Sequence, residues 1–127
     1  MADNKSPVTI TGSQTTSGAA EETLLISENG GPSVAFRLVA PGTTLVISDF
    51  DVSALGALAI FKIEQNSGAG FFPIASVTIP GLSFAASENV SPRTAWVLNG
   101  PAAFRIRVAT PGGALPVAST LSGYRES

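Results

Sequence analysis

The sequence predicts an all-β fold, an antiparallel sandwich of eight or nine strands with no substantial helix. Three observations lead there. Ala103-Phe104-Arg105-Ile106-Arg107-Val108 alternates apolar and charged residues at period two, as a strand does when one face is buried and the other wet. Clusters of Gly, Pro and Asn interrupt apolar runs every ~8–12 residues, the spacing of strands in a sandwich. No segment sustains a 3.6-residue apolar repeat with caps at its ends.

Residues 1–22 are mostly Ser, Thr, Gly, Ala and Asn, with one β-like patch at Val8-Thr9-Ile10-Thr11. So little apolar area does not offset the entropy of ordering. The expectation is a polar N-terminal arm over residues 1–22, either a tail or a strand added to a neighbouring subunit. The sandwich domain is expected over residues 23–127.

Residues 23–27 read as a short strand closed by Glu28-Asn29-Gly30-Gly31-Pro32, where Asn-Gly-Gly supplies positive φ at little steric cost. Residues 33–39 read as the next, with Phe36 and Leu38 on one face and Arg37 on the other. After Ala40-Pro41-Gly42-Thr43, the β-branched run at residues 44–48 suggests a central strand. Residues 57–65 and 72–79 form an expected hairpin about Asn66-Ser67-Gly68-Ala69-Gly70. Adjacent Phe71 and Phe72 point to opposite faces there, leaving one outside. Ser83-Phe84 reads as a short edge strand, and residues 94–98 as a strand carrying the single Trp96. Residues 102–124 complete the chain as an antiparallel hairpin across Thr110-Pro111-Gly112-Gly113.

At 127 residues the chain has the length of one domain, and its 44% hydrophobic content is ordinary. Its charged content of 13% is about half the usual share. A surface so poor in charge points to an oligomer or a permanent partner. With a net charge of -2 and no basic cluster, nucleic acid lacks an electrostatic footprint. No apolar stretch is long enough for a membrane span or a signal peptide, so synthesis in the cytosol is the expectation.

The sequence contains no His and no Cys, which removes the commonest general base, imidazole and thiolate metal ligands, and the thiol nucleophile. No catalytic, cofactor-binding or metal residues are expected, and the chain reads as a non-enzyme. Asp49 and Asp51 share a strand face and are the remaining candidates for an ion or an acid–base pair; strand-end turn chemistry explains them as well. Arg105 and Arg107 lie about 7 Å apart on one face, a spacing that suits a partner's carboxylate or carbonyl. Phe71, Phe72, Arg105, Arg107 and Tyr124 are the candidate interface residues.

The stretch from Phe61-Lys62-Ile63-Glu64 through Ser67-Gly68-Ala69-Gly70-Phe71-Phe72, then Phe104-Arg105-Ile106-Arg107 and Leu121-Ser122-Gly123-Tyr124, resembles a small β-sandwich unit of tailed-phage virion proteins. The resemblance spans residues 57–126; the loop lacks that unit's aspartate, and Phe72 stands where tryptophan is usual. As a short free-standing domain the chain is most similar to capsid decoration, or cement, proteins. That resemblance implies a jelly-roll-like sandwich, a homotrimer, the major capsid protein as partner, and a place on the capsid surface after synthesis in the host cytoplasm. The alternative is a carbohydrate- or receptor-binding module of a phage tail or fibre.

Overall fold

The computed structural model describes residues 5–18, 20–55, 58–80 and 85–127, with side chains of the last stretch described from residue 87. Ser83-Phe84, expected as an edge strand, lies outside the described residues. Among those described are eleven strands: β1 (Lys5–Thr15), β2 (Glu22–Thr23), β3 (Ser27–Glu28), β4 (Arg37–Val39), β5 (Thr44–Leu55), β6 (Ala59–Asn66), β7 (Phe71–Ile79), β8 (Ala85–Val90), β9 (Trp96–Asn99), β10 (Ala102–Ala109) and β11 (Pro116–Glu126). They form two antiparallel sheets. The first runs β3-β1-β11-β5-β8, with β9 on the other half of β5; the second runs β2-β10-β6-β7, with β4 also on β10.

The fold class is the one the sequence predicts, and three connections differ from expectation. Residues 5–15 are not an arm. β1 lies between β3 and β11, registered residue for residue from Lys5 opposite Glu126 to Thr15 opposite Pro116. Val8 and Ile10 face the core at 4% and 1% exposure, with Ser and Thr outward, so the Val8-Thr9-Ile10-Thr11 patch is the visible part of a longer alternation. Gly12 continues the inward face, where a Cβ would stand 2.8 Å from the Leu25 carbonyl oxygen.

β10 and β11 are not a hairpin. β10 belongs to the second sheet and β11 to the first, so the turn at residues 110–113 carries the chain across the core. Alternation along both strands is satisfied equally well by stacking face to face as by pairing edge to edge, and here stacking wins. The crossing is pinned from within: the buried hydroxyls of Thr16 and Thr110 are 2.6 Å apart, and the Leu115 N–H donates to Thr16 Oγ1 at 3.1 Å.

Residues 23–27 cross similarly. β2 lies in the second sheet and β3 in the first, and Leu24 and Ile26 between them are fully buried. In residues 33–39 only Arg37–Val39 is a strand, joined by an isolated bridge between Ile26 and Val34.

β5 holds the first sheet together, pairing with β11 along one side and with β9 and β8 in succession along the other. Ser122 pairs with Asp49 and Gly123 with Ile47, which leaves Ser48 as the extra residue of a bulge. That bulge shifts parity, so Leu45 and Ile47 before it and Phe50, Val52 and Ala54 after it all face inward. Phe50, Phe61 and Phe104 occupy the centre at 0% exposure. Burial of each contributes about 1.5–3 kcal/mol relative to exposure.

Candidate assembly surface

The outer face of the second sheet carries the two arginines singled out by sequence. Register places Arg105 opposite Glu64 and Arg107 opposite Lys62. Arg105 Nε donates to Glu64 Oε1 at 2.7 Å, and its guanidinium lies 3.9 Å from the centre of the Phe71 ring. Arg107 Nη2 donates to the Glu21 carbonyl oxygen at 3.1 Å and stands 3.7 Å from the Glu21 carboxylate, which Lys62 Nζ approaches at 3.0 Å. Both guanidinium groups therefore have partners within the chain, with Arg107 Nε left buried and without a hydrogen bond among the described residues.

Phe71 and Phe72 separate as the alternation requires. Phe71 is half-buried beneath Arg105, whereas Phe72 is 60% exposed. The preceding loop is ordered by Asn66, whose Oδ1 accepts from the N–H of Gly68 at 2.8 Å and of Gly70 at 3.2 Å. Both glycines have positive φ, 126° and 105°, which few side chains tolerate.

Tyr124 lies on the outer face of the first sheet in a cross-strand row running Pro7, Tyr124, Val46, Val97. Lys5 Nζ stands 5.0 Å from its ring centre, and Val97 at the row's end is exposed. The interface candidates thus fall on separate regions: Arg105, Arg107 and Phe71 on one outer face, Phe72 at a sheet edge, and Tyr124 on the opposite sheet.

Asp49 and Asp51 project from that first sheet, as their spacing predicts. Asp51 Oδ1 accepts from the Asn89 amide at 2.5 Å, and Asp49 accepts from the Ser91 hydroxyl. No group of three or more acidic side chains among the described residues is placed to hold a metal ion.

Sequence reasoning missed two features. Leu25, Phe36 and Leu38 are exposed, and Phe36 and Leu38 wall a groove of about 430 Å³ with Val34, Arg37 and Arg125. Two of the lining side chains meet on Glu28, which accepts from Arg125 Nε at 2.9 Å and Nη2 at 2.7 Å, and from Arg37 Nε at 3.2 Å. The Arg125 hydrogen bonds hold the Glu28 carboxyl below its usual range despite partial burial. The Phe36-Arg37-Leu38 alternation was visible in sequence, but alternation does not reveal which face is core.

The architecture defines a jelly-roll-like β-sandwich. No protein-family model matches the chain, and no curated protein matches it. Among solved structures, it is similar to Eiger TNF from S. frugiperda, with a TM-score of 0.57, 9% identity, and 93% of this chain and 92% of that one covered. It also aligns with PirA at a TM-score of 0.45 and 12% identity, covering 96% and 95%. A Cowpea Mosaic Virus empty virus-like particle aligns at a TM-score of 0.44 and 11% identity, covering 95% and 80%. At such identities the likeness is one of fold.

Proposed function

We propose that the chain is a non-enzymatic structural virion protein, a trimeric capsid decoration protein that binds the major capsid protein lattice from outside. The observation that supports this reading is the division of its surface. Among the described residues six of the seven basic side chains, Lys5, Arg37, Lys62, Arg105, Arg107 and Arg125, form ion pairs within the chain, while Leu25, Phe36, Leu38, Leu55, Phe72 and Val97 stand about half or more exposed. Charges satisfied internally are not needed for a ligand, and exposed apolar side chains at several points suit contact with more than one neighbour. The virion assignment rests on the resemblance to tailed-phage proteins.

A glycan-binding module would present accessible aromatics. Here Trp96 packs against the core and Phe71 lies under Arg105, which favours the structural reading.

The test is purification followed by incubation with phage heads that lack the protein, read by sedimentation and cryo-electron microscopy. A trimer that adds density over the capsid lattice is expected. A monomer that leaves the heads bare overturns the proposal.

A further inference from the structure

We infer that subunits join head to tail through the two edges of the second sheet: the β7 edge of one copy, led by Phe72, seats against the Phe36–Leu38 groove beside β4 of the next. This inference rests on the oligomeric part of the proposed function and identifies its contact.

The first observation is an edge without charge. β7 ends its sheet, and between Glu64 and Glu88 the sequence carries no charged residue, the longest such gap in the chain. Exposed edges are ordinarily protected by charge, proline or bulges. In β7 such devices occupy only the first half, where Pro73 stands beside the extra residue Ile74. From Ala75 to Ile79 β7 itself carries no charge, proline or bulge, and no other strand among the described residues pairs with that side, as expected of an edge covered by protein.

The second observation is that the opposite edge is complementary. Register runs straight across the sheet from Arg37 through Phe104 and Gln65 to Phe72, and from Leu38 through Ala103 and Asn66 to Phe71. The exposed Leu38 and Phe72 therefore lie one residue apart in height and on opposite faces, at edges three strand spacings or about 14 Å apart. At the β4 edge, Phe36 at 49% and Leu38 at 64% exposure flank the groove. The two cations that line it are already engaged, Arg125 by Glu28 and the Leu38 carbonyl and Arg37 by Glu28, so an uncharged occupant leaves no ion unpaired. The occupant that fits is an uncharged apolar edge, and a second copy of this chain supplies one. Two different patches meeting in this way make a heterologous contact, which closes into a ring when the rotation allows.

The experiment compares wild type, Phe72→Lys and Leu38→Lys by sedimentation equilibrium, with thermal melting to show that each folds. Each substitution is expected to raise the dissociation constant at least about tenfold, the scale of a hot-spot contact. The mixture is the decisive arm. The Phe72→Lys chain keeps a sound groove and the Leu38→Lys chain keeps a sound β7 edge, while the remaining contact would set lysine against lysine, so together they form a one-to-one dimer that cannot grow. Either variant assembling like wild type, or a mixture that stays monomeric, overturns the inference. A wild-type trimer indifferent to both substitutions rejects this contact and leaves the oligomer standing, whereas a wild-type monomer rejects both.

Discussion

Arg125 grips both carboxylate oxygens of Glu28, through Nε at 2.9 Å and Nη2 at 2.7 Å, from a position 97 residues further along the chain. Glu28 lies opposite Ile10, Arg125 opposite Leu45 and Arg37 opposite Phe104, so all three occupy inward-facing positions at one end of the core. Glu28 and Arg125 belong to the first sheet and Arg37 to the second. The cluster closes that end and ties the layers together.

Acid should weaken the closure. The folded-state pKa of Glu28 is depressed from an ordinary 4.5, chiefly by the Arg125 hydrogen bonds, so its contribution to stability is present above that value and is lost as pH falls through the folded pKa. Glu28→Gln should lower the melting temperature at neutral pH and flatten its decline in acid. Parallel melting curves for variant and wild type from neutral pH into acid would show that Glu28 does not carry the dependence.

Gly123 should be irreplaceable. A Cβ there would stand 1.8 Å from the Val46 carbonyl oxygen, because the bulge at Ser48 brings β5 backbone close to β11. Backbone on both sides leaves little to yield, so Gly123→Ala should cost about 3 kcal/mol or more in urea denaturation. Gly68, with open space around it but positive φ, should cost about 1 kcal/mol when changed to alanine. Equal losses at the two sites would mean that the close approach is not maintained in solution.

Arg105 tests how the outer face of the second sheet is held. Glu64 keeps only 9% side-chain exposure beneath it, so Arg105→Glu sets two carboxylates against each other where neither is well hydrated. A loss of about 2–4 kcal/mol is expected, with Arg105→Ala costing less because it adds no repulsion. A charge reversal that leaves the unfolding midpoint unchanged would return Arg105 to the role of a free partner-binding group.

What the sequence disclosed follows from the range of its signals. Period two in residues 103–108 located β10 and its buried face, and Asn66 with its glycines located the β6–β7 turn, because both are local. The partner of a strand is not local. The inward set of β10, Phe104, Ile106 and Val108, is satisfied by a facing layer as well as by an adjacent strand, so the alternation fits β11 in either sheet, and it lies in the other one. The bulge at Ser48 hid the parity of β5 inside an apolar run. The Phe71 and Phe72 pair was legible as one side chain in and one out, but nothing nearby in sequence foretold that Arg105 would cover the first. The Phe36–Leu38 groove escaped because only the packed molecule shows which side of β4 is left bare.

The first strand provides the sharpest contrast between the two views. As an arm, residues 5–15 could be removed without effect on melting; as β1, they separate β3 from β11 and bring Val8 and Ile10 into the core. Deletion through residue 15 would strip β11 of its partner along its whole length and leave a long unpaired edge open to other chains. The truncated protein should therefore aggregate or fail to melt cooperatively. Ile10→Ala, which keeps the strand and removes only buried methyl groups, should cost about 2–4 kcal/mol without preventing folding. A truncated chain that melts like the intact one, together with an Ile10→Ala loss near zero, would show that β1 does not pair with its own β11 in solution.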